Sequence, residues 1–150
     1  MQIAIANQQS ALPIDEDRLR EVTAAIYEGA GYTEGALSVA VVDDPTIHEL
    51  NRQHLDHDYP TDVLSFALED EPPRLEGEVI VSSDTAITNA AEYGWPPEHE
   101  LLLYVIHGVL HLVGHRDKAD DEVTAMRDAE AHYLRLVGVE PPSAPEAAPS

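Results

Sequence analysis

The chain has 150 residues, enough for one ordinary domain with a real core. It carries 29 acidic against 8 basic side chains, a formal charge of −21, and its one lysine is Lys118. Such a field repels nucleic acid wherever cations are not gathered locally, and it reads first as a solubility device rather than as a docking face for a basic protein.

With no cysteine there is neither a disulfide nor a thiolate metal site. The longest uninterrupted apolar run, Leu101 to Ile106, is far short of a membrane span. The opening MQIAIANQQSALPI lacks a basic segment followed by an apolar one, so no secretion signal is expected. The expectation is a soluble cytoplasmic protein with no membrane partner.

In chain order, Gln2 to Ala6 alternates weakly and predicts a first strand. Pro13 and Asp15 open a helix through about Tyr27, with Leu19, Val22 and Ile26 at helical spacing and Gly29 and Gly31 behind them. Leu37 to Val42 is apolar and β-branched, a buried strand. Asp44-Pro45 reads as a cap and first-turn pair for a helix carrying Ile47, Leu50 and Asn51. Val63 to Leu68 predicts a strand, Glu69 to Glu76 an acidic loop, and Glu78 to Val81 another strand. Ser83 or Asp84 caps a helix to about Tyr93. Pro96 and Pro97 start the next helix, which is apolar almost all round from Leu101 and stops at Gly114, so it should be central. A last helix runs from about Asp120 to Val137, with Val123, Met126, Tyr133 and Val137 on one face. The domain is expected to span residues 1–138. Residues 139–150, rich in proline and small side chains, predict a disordered tail.

The central helix ends in HGVLHLVGHRD, residues 107–117. On a helix, positions i and i+4 share a face one turn apart, so His107 and His111 point the same way and can grip one metal ion. A lone buried histidine is ordinarily a hydrogen-bonded core residue. Two at this spacing on an apolar helix, followed by Gly114 and Asp117, point instead to a metal site.

Two residues compete for third ligand. His115 is i+8 from His107, roughly 12 Å along a straight helix, and reaches the ion only through a break at Gly114. Asp117 completes H-x-x-x-H-x-x-G-x-x-D, the zincin spacing with aspartate in the last place, and is preferred. Three protein ligands leave a fourth position for water, as in catalytic zinc sites. Gly108 stands where peptidases of this spacing carry a glutamate base. A helix-interior glycine costs about 1 kcal/mol relative to alanine, which suggests the close approach of another backbone.

These residues resemble a known family. HGVLHLVGHRD is similar to the H-G-x-L-H-L-x-G-Y-D-H signature of the YbeY endoribonucleases, bacterial rRNA maturation factors. LNRQHLDHDYPTDVLSF, residues 50–66, resembles the family's L-N-x-x-Y-R-x-x-D-x-P-T-D-V-L-S-F. GEVIVSS, residues 77–83, resembles its G-D-I-x-I-S. The resemblance covers roughly residues 38–138. It puts the family's zinc histidines on His107, His111 and Asp117, and its tyrosine on His115.

Its phosphate-facing arginine falls on Leu55, which cannot replace it. Its neighbouring aromatic falls on His54, which becomes a candidate catalytic residue. Arg52, Arg116, Lys118 and His57 are further substitutes, each by default a surface residue. Asn51, Thr61, Asp62 and Ser65 match the family, although Thr61 and Asp62 are ordinary turn residues. His48, His99 and His132 read as exposed helix positions, Trp95 as a packing anchor, and Glu78 as a solvated strand carboxylate.

The resemblance implies an α+β domain, zincin-like, in which a small mixed sheet of about four strands is packed by helices around a central metal-binding helix. It also implies a single-strand-specific, Zn²⁺-dependent endoribonuclease in 16S rRNA 3′-end maturation and ribosome quality control. Its expected partners are rRNA and pre-ribosomal 30S particles, with a ribosomal protein or an assembly GTPase, and no DNA. The rival reading is a non-catalytic, metal-binding assembly factor. A peptidase is disfavoured by Gly108.

Overall fold

A computed structural model describes residues 2–55, 62–116 and 118–141, apart from the side chains of His54 and Leu55. In chain order these form β1 (Gln2–Asn7), α1 (Glu16–Gly29), β2 (Glu34–Val42), α2 (Asp44–Leu55), β3 (Val63–Glu71), β4 (Arg74–Ser82), α3 (Ser83–Tyr93), α4 (Pro97–Leu112) and α5 (Asp120–Leu136). The strands make one mixed sheet in the order β1-β2-β4-β3, parallel except for the β3–β4 hairpin. The expected α+β fold is therefore present.

Period-two alternation sorts the strand residues onto two faces. Leu37, Val39, Val41, Val63, Leu75, Val79 and Val81 join the main core with α1, α4 and α5. Val42, Leu64 and Ile80 turn the other way, onto Ile47 and Leu50 of α2. Twelve of the sixteen residues of α4 are buried, because it is enclosed by the sheet and by α1, α3 and α5. An all-apolar helix needs such a place.

Three local expectations are corrected. Residues 69–76 are not a loop: β3 and β4 run through them, pairing Glu69 with Glu76 and Glu71 with Arg74 around a two-residue Pro72-Pro73 turn. The acidic composition hid this pairing, which Leu75, fully buried, and Arg74, bridging Glu69 at 3.7 Å and Glu76 at 2.5 Å, hold in register.

The cap of α2 is Asp43, whose Oδ1 accepts from Thr46 N at 2.9 Å; hydrogen bonding from the Thr46 hydroxyl first, and then from Thr46 N, holds its carboxyl below the usual range. Asp44 instead accepts from Ser82 Oγ and Thr85 Oγ1, tying α2 to the β4–α3 junction. The cap of α3 is Ser82, one residue earlier than expected, accepting from Thr85 N at 3.2 Å. Beyond α5, Val139 is buried and donates to Leu134 O at 2.9 Å, while residues 142–150 of the expected tail lie outside the described residues.

Candidate metal centre

The two histidines of α4 stand as helical spacing requires, with ring centroids 4.5 Å apart and planes at 82°. Each is oriented through Nδ1. His107 is fully buried, and its Nδ1 lies 2.7 Å from Glu130 Oε2 of α5, itself 3% exposed. His111 is partly exposed, and its Nδ1 lies 3.0 Å from the carbonyl oxygen of His115. A carbonyl only accepts, so the ring proton of His111 sits on Nδ1; a carboxylate at Glu130 accepts from His107 in the same way. With Nδ1 so engaged, Nε2 is the ring nitrogen left to offer a lone pair to a metal. An outer acceptor fixing the tautomer of a histidine is the regular companion of metal ligation.

The turn after α4 supplies the second acceptor. Gly114 adopts φ +108°, and His115 N donates back to Leu110 O at 3.0 Å. This reversal brings the His115 carbonyl over His111. The break expected at Gly114 is thus present, and the backbone of His115 serves the histidine pair.

Gly108, between the histidines, faces the sheet. A Cβ there would meet Val79 Cγ1 at 2.8 Å, and Ser65 Oγ and Val63 Cγ2 at 3.0 Å. The close approach is made by sheet side chains, not by a second backbone as expected. Ser65 Oγ also donates to Gly108 O at 3.0 Å, pinning α4 to β3.

Asp117, the expected third ligand, lies outside the described residues, as do His57, Thr61 and the side chains of His54 and Leu55. Among the described residues no three histidine, aspartate or glutamate side chains gather as a metal cage. The donor set that is described, two imidazoles with Nδ1 engaged by oxygen acceptors, fits Zn²⁺.

Beside His111 opens a cavity of about 410 Å³ lined by His111, Gly114, His115, Arg116, Lys118 and Glu122. Arg52 is elsewhere, paired with Glu49 on its own helix. Asn51 is 1% exposed. Glu78 is partly buried and, by strand alternation, shares the α2 face of the sheet with Ile80. His132 is exposed as expected, whereas His48 and His99 are half-buried. Trp95 anchors the start of α4, with Nε1 donating to the buried Glu100 Oε1 at 2.9 Å. Tyr104, a turn before Gly108, accepts from Asn89 Nδ2 at 2.7 Å, and burial raises its phenol far above the ordinary value.

Glu130 is the residue that sequence reasoning missed. Its signal was present: Met126, Glu130 and Leu134 recur at i, i+4 and i+8 and all three are buried, so a carboxylate stands in the apolar stripe of α5.

Known proteins share this arrangement of elements. A family model described as Endoribonuclease YbeY matches residues 4–138. A relative named Endoribonuclease YbeY from Rhodopirellula baltica is 50% identical over 133 residues, covering 83% of this chain and 68% of its own length. One of the same name from Carboxydothermus hydrogenoformans is 37% identical over 142 residues, covering 91% and 97%. The solution structure of TM1509 from Thermotoga maritima superposes with a TM-score of 0.64 at 30% identity, covering 90% of this chain and 88% of that one. With a family match spanning both histidines, Gly114 and Glu130, the chain belongs to the YbeY endoribonuclease family.

Proposed function

We propose that the protein is a zinc-dependent endoribonuclease of single-stranded RNA, acting in 16S rRNA 3′-end maturation and ribosome quality control. The observation that carries this reading is the His107–His111 pair, one helical turn apart with both Nδ1 atoms engaged by oxygen acceptors. Family membership supplies the reaction class, since its members are named for endoribonuclease activity. That name lends no support to a non-catalytic assembly factor. The setting we take is the cytoplasm, on pre-ribosomal 30S particles, with a ribosomal protein or an assembly GTPase as protein partner.

In this reading His107, His111 and Asp117 hold the ion. Zn²⁺, when bound, supplies positive charge to a phosphodiester and lowers the pKa of the attacking oxygen. The chain's own part is placement. Glu130 and the His115 carbonyl fix the ring orientations before substrate arrives, so no side-chain ordering is needed at the moment of reaction. The packing of Val63, Val79 and Ser65 against Gly108 sets the height of the helix over the sheet. His54, in the last turn of α2, remains a candidate catalytic group.

The test is cleavage of a single-stranded RNA by highly purified protein, beside a duplex of the same sequence. Cleavage should need metal, vanish with a chelator and return with zinc. His107→Ala and His111→Ala should each lower it by about a thousand-fold, the several kcal/mol that a metal supplies, with the helical circular dichroism retained. Undiminished cleavage in both variants would refute the reading.

A further inference from the structure

We infer that the cavity beside His111 binds a phosphate of the RNA backbone through Arg116 and Lys118. The inference rests on the endoribonuclease reading and goes further, naming the substrate contacts of this chain.

Cations are scarce here, and their use is uneven. Five of the eight are committed to carboxylates: Arg18 to Asp15 at 3.9 Å, Arg20 to Glu16 at 3.3 Å, Arg52 to Glu49, Arg74 to Glu69 at 3.7 Å, and Arg135 to Glu140 at 3.5 Å. Arg116 and Lys118 make no ion pair with any described residue, and both line the cavity that opens on His111. Arg127 also pairs with no described residue, but it does not line that cavity.

Among the described residues Glu122 is the one carboxylate lining the cavity, and it is turned inward to the start of α5, where its Oε1 accepts from Ala119 N at 3.0 Å. The positive end of that helix offsets part of its charge. The cavity therefore gathers two uncommitted cations around a metal-type histidine, in a molecule of net charge −21.

Range decides between the two fields. At physiological salt the Debye length is about 8 Å. Most of the molecule's negative charge is screened at the cavity, whereas a cation touching a phosphate is not. Arginine offers a planar fork to two phosphate oxygens, and lysine adds a point charge. Both follow Gly114 closely, so the turn that orients His111 also sets the cations at its side. A phosphodiester reaching His111 through this cavity meets them.

The test is equilibrium binding of a labelled, 2′-O-methylated single-stranded RNA to the zinc-loaded protein at several salt concentrations, with RNA integrity checked after each titration. Arg116→Gln/Lys118→Gln should bind about ten-fold more weakly. The slope of log K against log salt should shrink in magnitude by about 1.4, at roughly 0.7 per lost phosphate contact on a single strand. Zinc content should be unchanged. The control Arg20→Gln/Arg135→Gln makes the same change in net charge on side chains that do not line the cavity, and should stay within about two-fold of wild type.

Wild-type binding in the double variant, or an equal loss in the control, would overturn the inference while leaving the nuclease reading in place. Wild-type protein that neither binds nor cleaves RNA would overturn both.

Discussion

The two halves of the histidine pair are held by different means. His107 lies in the interior, where a carboxylate from another helix, Glu130, orients it across the α4–α5 interface. His111 lies at the rim, where a carbonyl a few residues along the same chain orients it through the turn at Gly114. The inner half depends on tertiary packing, and the outer half on local backbone geometry. A buried polar pair loses much when one partner goes, because the other keeps its desolvation cost. A rim contact can be replaced by water. The inner half should therefore couple metal binding to folding, and the outer half should couple it to access.

The largest consequence concerns Glu130. Glu130→Ala should lower zinc affinity by 10- to 100-fold, as loss of an outer acceptor typically does. It should also destabilise the metal-free protein by about 2 to 3 kcal/mol, since the buried imidazole loses its acceptor. Competition with a chromogenic chelator reads the first effect and thermal unfolding the second. Unchanged affinity would remove the outer-acceptor role.

Gly108→Ala comes next. The added methyl would sit 2.8 Å from Val79 Cγ1, and three sheet side chains would have to move. Overpacking of this kind costs about 1 to 3 kcal/mol, against about 1 kcal/mol gained in helix propensity. A net loss of about 1 kcal/mol in urea unfolding is expected, with zinc affinity lowered as α4 lifts. A more stable variant would mean that the sheet gives way freely.

Gly114→Ala comes last. A Cβ there meets nothing within 4 Å, so only the φ of +108° opposes it. That strain is about 1 to 2 kcal/mol if the turn holds, and less if it relaxes. Relaxation would carry the His115 carbonyl away from His111, so zinc affinity should fall several-fold even where unfolding hardly changes. Equal losses in both measurements would erase the distinction between the halves.

Much of this was legible in the sequence. The spacing of His107 and His111, the all-apolar stretch from Leu101, and Gly114 announced a buried helix with two histidines on one face and a sharp end, and the helix, the shared face and the break are as expected. What escaped depended on contacts distant in the chain. Glu130 acts 23 residues from His107, and nothing local distinguishes it except its place in an apolar stripe. The hairpin over residues 69–76 was masked by acidic composition, since pairing across Pro72-Pro73 follows from the partner strand rather than from propensity. The caps at Asp43 and Ser82 were each displaced by one residue, because Asp44 and Ser83, equally suited as residue types, have other partners: Ser83 Oγ donates to Val42 O at 3.2 Å.

The most direct measurement is zinc per chain by elemental analysis on wild type, His107→Ala, Asp117→Ala and His115→Ala, purified alike and supplied with zinc. One ion per chain is expected in wild type and in His115→Ala, whose backbone carbonyl survives the change, with loss in the other two. Zinc retained without His107, or absent from every sample, would contradict the metal centre and leave the pair as a hydrogen-bonded element of the core.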